Sequence, residues 1–230
     1  MTPDPGVVLQ ASDWAFVLQN SEFLARGLLV TAGLTLTSIL LGFLAGFPAG
    51  AIEVYGSGRT KKAVEVVGVV LRGTPIVVIL VYVFFVFPLN LSAFAAATIG
   101  LGMRSAAYQA QIFRGSLKSV SSGQMEAARS VGLSKLEALR YVVVPQALRR
   151  SIPGFQNEFT IVLKDTSVAF AIGLGELLTR GFNLFTQPGK DTAVLEVFLA
   201  ISLVYFVLTF TTNRALDALG DRFAVPGGGR

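Results

Sequence analysis

Four polar residues in the apolar segment 152–174 are the residues of this sequence best suited to chemistry. Asn157, Glu158, Lys164 and Asp165 lie within it. A charge at the centre of a membrane-spanning helix costs roughly 2.5–3.5 kcal/mol on insertion scales, so such residues are functional candidates by default. At 3.6 residues per turn, Asn157 and Lys164 share one face, and Glu158 and Asp165 share the next. We expect both faces to line the interior of a helix bundle.

The chemistry that these residues support is non-covalent binding of a charged ligand. A cationic group of a ligand needs an anionic partner, which Glu158 or Asp165 can supply. An anionic group needs donors, and helix breaks near Thr74 or near Thr166 and Ser167 can expose backbone N–H groups, as in membrane proteins with discontinuous helices. Together with Asn157 and Lys164, these residues form the candidate path for a bound ligand.

The charges of Glu158, Lys164 and Asp165 can instead pair with one another, or with Arg104 or Arg72, and hold the bundle together. For Lys164 and Asp165 the sequence supports internal ion pairs and ligand contact equally, whereas for Asn157 and Glu158 the ligand path is favoured. Arg104 also lies inside an apolar segment, so it must face a cavity or an acid. It either attracts an anionic group of the ligand or neutralises Glu158.

The composition limits the class of protein. Of 230 residues, 53% are hydrophobic and 14% are charged, and the mean hydropathy is +0.65. Soluble domains carry about 25% charged residues, so the chain is predicted to be a membrane protein. It has no Cys and no His, which excludes disulfides, Ser-His and Cys-His catalysis, and thiolate or imidazole metal sites. We expect a chain without catalytic residues, metal or cofactor.

Five segments are apolar enough to cross a bilayer, which takes about 20 largely apolar residues. The second is interrupted at 72–75, and a tight outer turn near 88–92 separates it from the third. The predicted fold is therefore an all-α membrane protein of one domain and about five spans. The predicted spans are 27–52, 61–88, 92–114, 152–174 and 192–213.

The distribution of Lys and Arg orients these spans, because short cytoplasmic loops carry an excess of both. Basic residues follow the first span, separate the third from the fourth and follow the fifth, whereas the opposite loops hold only Arg180 and Lys190. The N-terminus is therefore expected outside and the C-terminus in the cytoplasm. Residues 1–20 are predicted to be extracytoplasmic and to lack the basic region of a secretory signal, 21–220 to be the transmembrane domain, and 221–230 to be a cytoplasmic tail.

A charged stretch at 121–145, SSGQMEAARSVGLSKLEALRYVVVP, lies on the predicted cytoplasmic side and contains two short helices. Ser121 or Ser122 can cap the first helix, with Gln124 as the partner in a capping box. Gly132 suits the left-handed position that ends it.

The second short helix has its own signals. Ser134 can cap it, Glu137 stands at the reciprocal position of a capping box, and Pro145 is predicted to close the unit. Ala127 and Ala128 keep one side of the unit small, so that another surface can approach closely. The stretch is predicted to be a docking unit.

This stretch resembles the cytoplasmic EAA loop of permease subunits in binding-protein-dependent ABC importers. The family motif is Glu-Ala-Ala, three residues, Gly, nine residues, then Ile-x-Leu-Pro. Here the same spacing holds Glu126-Ala127-Ala128, Gly132 and Val142-Val143-Val144-Pro145, with valines in place of Ile and Leu. Four further stretches look like the polar amino-acid branch of the family: RGTP at 72–75, AAYQAQIFRGSLKSVSSGQ at 106–124, VVPQALRRSIP at 143–153 and LKDTS at 163–167.

The resemblance covers about residues 20–220, with the loop at about 118–150. It implies a permease in the prokaryotic plasma (inner) membrane that pairs with a second permease copy or paralogue. Each loop would sit in a groove of an ATPase dimer that binds ATP and Mg²⁺, and an extracytoplasmic binding protein would deliver a polar amino acid. Glu126, Ala127, Ala128 and Gly132 would form the ATPase contact. The chain has no phosphate loop of its own, because Gly189-Lys190 is followed by Asp191.

Two other functions fit parts of the sequence. A channel or secondary transporter that works without ATP would share the spans but would leave the loop without a partner. A membrane-tethered helix-turn-helix regulator would use EAARSVGLSKLEALR as its DNA-binding unit. Spans on both sides hold that stretch close to the bilayer, where a recognition helix could hardly enter a major groove, so no nucleic-acid partner is expected.

Overall fold

The computed structural model describes residues 11–87, 90–187 and 193–223, and these residues form helices without any strand. The predicted all-α fold is confirmed. The α-helices are α1 Ala11–Gln19, α2 Ser21–Tyr55, α3 Gly58–Gly73, α4 Ile76–Val81, α5 Ala93–Ser119, α6 Ser122–Ser130, α7 Lys135–Ala138, α8 Val144–Asp165, α9 Leu177–Phe185 and α10 Val194–Phe223.

Helices α2 and α5 form a close central pair because glycines let their backbones approach. Gly42, Gly46 and Gly50 recur every four residues on the buried side of α2. A Cβ atom at Gly46 would lie 2.5 Å from the Ala106 carbonyl oxygen, and one at Gly50 would lie 2.6 Å from the Ala110 carbonyl oxygen. Small residues permit such packing between membrane helices, where van der Waals contact is a main attractive force.

The second predicted span is sharply bent. Helix α3 meets the run formed by α4 and a π-helical turn, Tyr82–Val86, at 106°. Thr74 has extended backbone angles, φ −92° and ψ 131°, and Pro75 precedes α4. Because a proline ring disfavours the helical conformation of the residue before it, α3 must end here. The predicted interruption at 72–75 is confirmed.

Two described helices are both long and apolar enough to cross a membrane, Ser21–Tyr55 and Val194–Ala218, and the bent α3–α4 pair is a third if its parts form one span. Helix α5 has 27 residues and α8 has 22, so both reach across a bilayer core at 1.5 Å per residue. Their polar side chains make them less apolar than the other three. Each of the five predicted segments thus coincides with a helix or a helix pair.

The fourth predicted segment differs from the structure at both ends. The sequence predicts a helix over 152–174, whereas α8 runs from Val144 to Asp165 and is followed by a 3₁₀ helix, Thr166–Ile172. The prediction that Pro145 closes the loop is wrong, because Pro145 lies in the first turn of α8. Proline is tolerated there since the N–H groups of a first turn have no partner within the helix.

The second helix of the charged stretch therefore leads straight into α8. Helix α7 passes into a π-helical turn, Leu139–Val143, and that turn passes into α8 without a loop. One helical run connects the predicted cytoplasmic loop with Glu158 and Asp165.

Some predictions concern residues outside those that the structure describes. They are the first half of the N-terminal segment, 1–10, part of the outer turn, 88–89, the stretch 188–192 that includes the predicted start of the fifth span, and the end of the C-terminal tail, 224–230. Helix α10 begins at Val194, close to the predicted start of the fifth span.

Candidate functional site

The first of two candidate sites joins α5 to α8. Arg104 of α5 forms an ion pair with Asp165, the last residue of α8. The two side chains are 20% and 24% exposed, so the pair is partly buried. The guanidinium of Arg104 also stands 5.0 Å from the ring centre of Tyr108, one turn along α5. Asp165 was predicted either to contact the ligand or to form an internal ion pair, and the structure shows the ion pair.

Glu158 lies beside this pair and is only 3% exposed. Its Oε1 atom is buried and has no hydrogen-bond partner among the described residues. Ser105 of α5 is its neighbour across the helix interface, and the Ser105 hydroxyl accepts a hydrogen bond from Gln109 Nε2 at 3.0 Å. A buried carboxyl oxygen without a donor is unfavourable.

The other predicted face of α8 is turned away from this cluster. Asn157 and Lys164 are both exposed in the single chain, so this face is not covered by the described part of the same chain. Lys164 forms no ion pair within 4 Å in the described part of the chain. The alternative in which Lys164 pairs with Asp165 is therefore wrong. Helix α8 packs on its neighbours with the side that carries Glu158.

The predicted backbone donors at the helix breaks are already occupied. The Thr74 N–H donates to the Val70 carbonyl oxygen at 3.0 Å, and the Thr74 hydroxyl donates to the same oxygen at 2.8 Å. The Thr166 N–H donates to Val162, and the Ser167 hydroxyl bonds to a carbonyl one turn back. The N–H groups of Thr74 and Thr166 are therefore not free, because each still completes the last turn of the preceding helix.

The sequence did not single out the buried acid Glu176, which is 0% exposed. It is the N-cap of α9, and its carboxylate accepts hydrogen bonds from the N–H groups of Leu178 at 2.8 Å and Thr179 at 2.6 Å. The Tyr205 hydroxyl of α10 donates to it at 3.1 Å. An acid just ahead of an apolar helix is the signal for this role. Glu176 thus ties α9 to α10.

The second candidate site is the loop, and its first helix ends as predicted. Gly132 has φ +95°, a conformation that residues with a side chain rarely adopt. Its N–H donates to the Arg129 carbonyl at 3.1 Å, and the Leu133 N–H donates to the Ala128 carbonyl at 3.2 Å. These are the two bonds of a Schellman motif.

One of the two predicted capping boxes is present. The Ser134 N–H donates to the Glu137 carboxylate at 2.8 Å, and the Glu137 N–H donates to the Ser134 hydroxyl at 3.3 Å. Two hydrogen bonds with Ser134 lower the pKa of Glu137 below its ordinary value; the bond to the Ser134 side chain has the larger effect and the bond to its backbone the smaller. The box predicted for Ser121 and Gln124 is wrong. Ser121 accepts from the N–H two residues on, and the Gln124 side chain contacts Gln146 instead.

The outer surface of the loop is partly apolar. Of the predicted coupling residues, Glu126, Ala127 and Gly132 are exposed, whereas Ala128 is 6% exposed and supports the loop from within. Contiguous exposed apolar surface typically marks an interaction site. The large exposed apolar residues of the loop are Val131 at 79%, Leu136 at 74% and Tyr141 at 62%.

Comparison with known families gives the loop its context. Residues 38–225 match the family described as binding-protein-dependent transport system inner membrane component. The chain belongs to this family. The permease is 31% identical over 218 residues to the glutamine transport system permease protein GlnP of Escherichia coli (strain K12), with 93% of this chain and 98% of that relative covered. It is 34% identical over 211 residues to the probable glutamine ABC transporter permease protein GlnP of Bacillus subtilis (strain 168), with 90% and 97% covered.

Solved structures agree with this assignment. The permease superposes on a chain from the crystal structure of an amino acid ABC transporter with histidines, with a TM-score of 0.82, 29% identity and coverage of 96% of this chain and 100% of that chain. It also superposes on a chain of the inward-facing MetNI methionine ABC transporter, with a TM-score of 0.69, 21% identity and coverage of 86% and 96%; at that identity the likeness concerns the fold.

The predicted family is therefore confirmed. The permease is a membrane-embedded transport subunit, and membership of this family implies an ATPase and a binding protein as partners. An ATP-independent transporter and a DNA-binding regulator are not favoured.

Proposed function

We propose that the permease moves polar amino acids into the cytoplasm as the transmembrane subunit of an ABC importer. ATP and Mg²⁺ bind to a separate ATPase, and this chain carries out no covalent chemistry and holds no metal or cofactor of its own. The observation that carries the proposal is the continuous helical run from the exposed loop to the buried polar cluster. One end of that run suits a partner protein, and the other suits a small zwitterion.

The proposed topology has five spans in one domain, residues 21–220, in a prokaryotic inner membrane. The spans are α2, the bent α3–α4 pair, α5, α8 and α10, with the N-terminal segment outside and the C-terminal tail in the cytoplasm. The many basic residues of the loop that contains α6 support a cytoplasmic location for it.

The loop is proposed to dock on the ATPase through Glu126, Ala127 and Gly132, together with the exposed apolar side chains beside them. Ala128 acts from inside by fixing α6 against the chain. The caps at Gly132 and Ser134 support this role, because they give the loop a fixed shape without help from a partner. A preorganised loop loses less conformational entropy on docking.

The substrate is proposed to be a polar amino acid without net charge. Glu158 would accept the ammonium group, since its Oε1 atom lacks a donor. Arg104 is already neutralised by Asp165, so its guanidinium is not free to bind an acidic side chain. The two relatives named for glutamine transport support an uncharged substrate.

The exposed face of α8, with Asn157 and Lys164, is proposed to complete the path at the contact with a second permease, which is either an identical copy or a paralogue. Thr74, Thr166 and Ser167 are proposed to contribute to the path only where their local hydrogen bonds open. The full assembly would contain two permeases, two ATPase chains and one extracytoplasmic binding protein.

Uptake measurements test this proposal. Proteoliposomes that contain the permease, its ATPase and its binding protein should accumulate glutamine and other uncharged polar amino acids only when ATP is present. Aspartate and glutamate should be excluded. ATP hydrolysis without uptake of any amino acid would contradict the proposed substrate class, and uptake without ATP would contradict the importer.

A further inference from the structure

Two side chains at the start of α8 reach across to the point where α5 ends and α6 begins. Gln146 Nε2 donates to Gln124 Oε1 at 3.1 Å. Arg150 Nη1 donates to the main-chain carbonyl oxygen of Ser119 and lies 3.3 Å from the Ser119 hydroxyl. Gln146 and Arg150 are one turn apart on α8, so both contacts lie on one side of the helix. The two contacts join residues 22 and 31 positions apart in the chain.

The backbone between the loop and α8 is continuous but irregular at this point. The π-helical turn Leu139–Val143 departs from the regular hydrogen-bond pattern, and Pro145 follows it without an N–H to donate. Helices bend most readily at such irregularities. Side-chain contacts that span the turn would therefore limit bending between the loop and α8.

A small apolar core lies beneath these contacts. Met125 of α6 packs on a buried cluster that includes Val143 and Ala147. Apolar contact is non-directional, so it holds α6 on α8 without fixing the position of one helix along the other. The directional hydrogen bond of Gln146 to Gln124 can fix that position, and the bond of Arg150 to Ser119 fixes α8 on the end of α5, where the loop begins.

We infer that Gln146 and Arg150 are positioning residues: Gln146 holds α8 in fixed register on α6, and Arg150 holds it on the end of α5 just before α6, so that displacement of the loop moves Glu158 and Asp165. From Arg150 to Asp165, α8 extends about 22 Å at 1.5 Å per residue. The inference deepens the proposed function and rests on it. It assigns the transmission of movement to two side chains that do not touch the substrate.

The experiment uses the assembled complex in proteoliposomes. The chain contains no cysteine, so Ile161→Cys, half-buried on the far half of α8, can carry a single environment-sensitive fluorophore beside cysteine-free partner subunits. Two quantities are measured: the ATP-driven fluorescence change, and glutamine uptake per ATP hydrolysed. Gln146→Ala and Arg150→Ala should each lower both by about fivefold or more, the usual lower range of coupling between sites, while membrane insertion and ATP hydrolysis persist.

Arg149→Ala is the matched control. Arg149 is exposed beside Arg150 and has no hydrogen bond or ion pair in the part of the chain that the structure describes, so its loss should change neither quantity. Combining Gln124→Glu with Gln146→Lys should restore both quantities through an ion pair. Gln124→Cys and Gln146→Cys joined by a short bismaleimide should keep coupled uptake, because the contact persists through the cycle.

Three outcomes would overturn the inference. The first is that Gln146→Ala and Arg150→Ala give the same fluorescence change and the same uptake per ATP as Arg149→Ala. The second is a cross-link that abolishes uptake, and the third is a labelled Ile161→Cys permease, otherwise wild type, whose fluorescence does not respond to ATP. The last would overturn the importer as well. If the labelled Ile161→Cys permease responds to ATP and Gln146→Ala and Arg150→Ala remove that response, the positioning role is supported. If no amino acid is taken up in the same experiment, the proposed substrate class is refuted.

Discussion

Arg104 and Asp165, 61 residues apart in sequence, form an ion pair that joins the middle of α5 to the last residue of α8. The pair neutralises Arg104, and the Oε1 atom of Glu158 beside it has no hydrogen-bond partner in the part of the chain that the structure describes. Two charges thus hold α5 and α8 together, and Glu158 is the acid that we propose for the ligand.

Removal of Arg104 should destabilise the permease. In Arg104→Ala, Asp165 stays partly buried without its partner, which costs about 1–3 kcal/mol. The loss should appear as a lower midpoint in thermal unfolding of the purified complex. The double variant Arg104→Ala with Asp165→Ala should lose less stability than the sum of the losses in the two single variants. Lys164→Ala is the control, because Lys164 is exposed next to Asp165 and unpaired among the described residues; strictly additive losses would contradict the pair's role.

Replacement of Glu158 should affect uptake rather than folding. Glu158→Gln keeps the shape of the side chain and removes the charge that would hold the substrate ammonium, so the KM for uptake should rise about tenfold, equivalent to 1.4 kcal/mol. Initial uptake rates over a range of substrate concentration measure this. Glu158→Asp keeps the charge and should lose less. Equal KM values for wild type and Glu158→Gln would remove Glu158 from the substrate path.

The backbone at Gly132 should be sensitive to side-chain type. With φ +95°, a β-branched residue is strained by about 1–3 kcal/mol, so Gly132→Val should loosen the end of α6 and reduce binding of the ATPase. Gly132→Asn should be milder, since asparagine tolerates left-handed angles better. Recovery of the ATPase with tagged permease measures the effect. If valine and asparagine are equally tolerated, the fixed loop shape is not needed for docking.

Close packing of α2 on α5 should make Gly46 intolerant of a methyl group. In Gly46→Ala the new Cβ would lie 2.5 Å from a backbone oxygen of α5, and relieving that clash should cost about 1–3 kcal/mol. Gly33→Ala on the same helix is the matched control, because its nearest neighbour is a Phe94 ring atom at 3.8 Å. Thermal unfolding of the two variants should give a lower midpoint for Gly46→Ala than for Gly33→Ala. Equal midpoints would mean that α2 and α5 can move apart at little cost.

The features that the sequence predicted correctly depend on residues within about one helical turn. The Gly132 helix end, the Ser134–Glu137 capping box and the break before Pro75 each involve neighbours in the chain. Local hydrogen bonds and steric limits act at that range whatever the surrounding fold does. Two local predictions failed. Pro145 was expected to end a helical unit, but it lies in the first turn of α8, and the Gln124 side chain contacts Gln146 instead of closing a capping box with Ser121.

By itself, the sequence determined that the chain is helical and membrane-embedded, the Gly132 and Ser134 caps of the loop, and which family the chain belongs to. The tertiary structure alone decided which charges meet. The pairing of Arg104 with Asp165 rather than Glu158, and the contact of Gln124 with Gln146 rather than its own helix cap, depend on the rotation and register of packed helices. Helical periodicity places residues on the faces of one helix, but only the packing of α8 on its neighbours selects which face is buried.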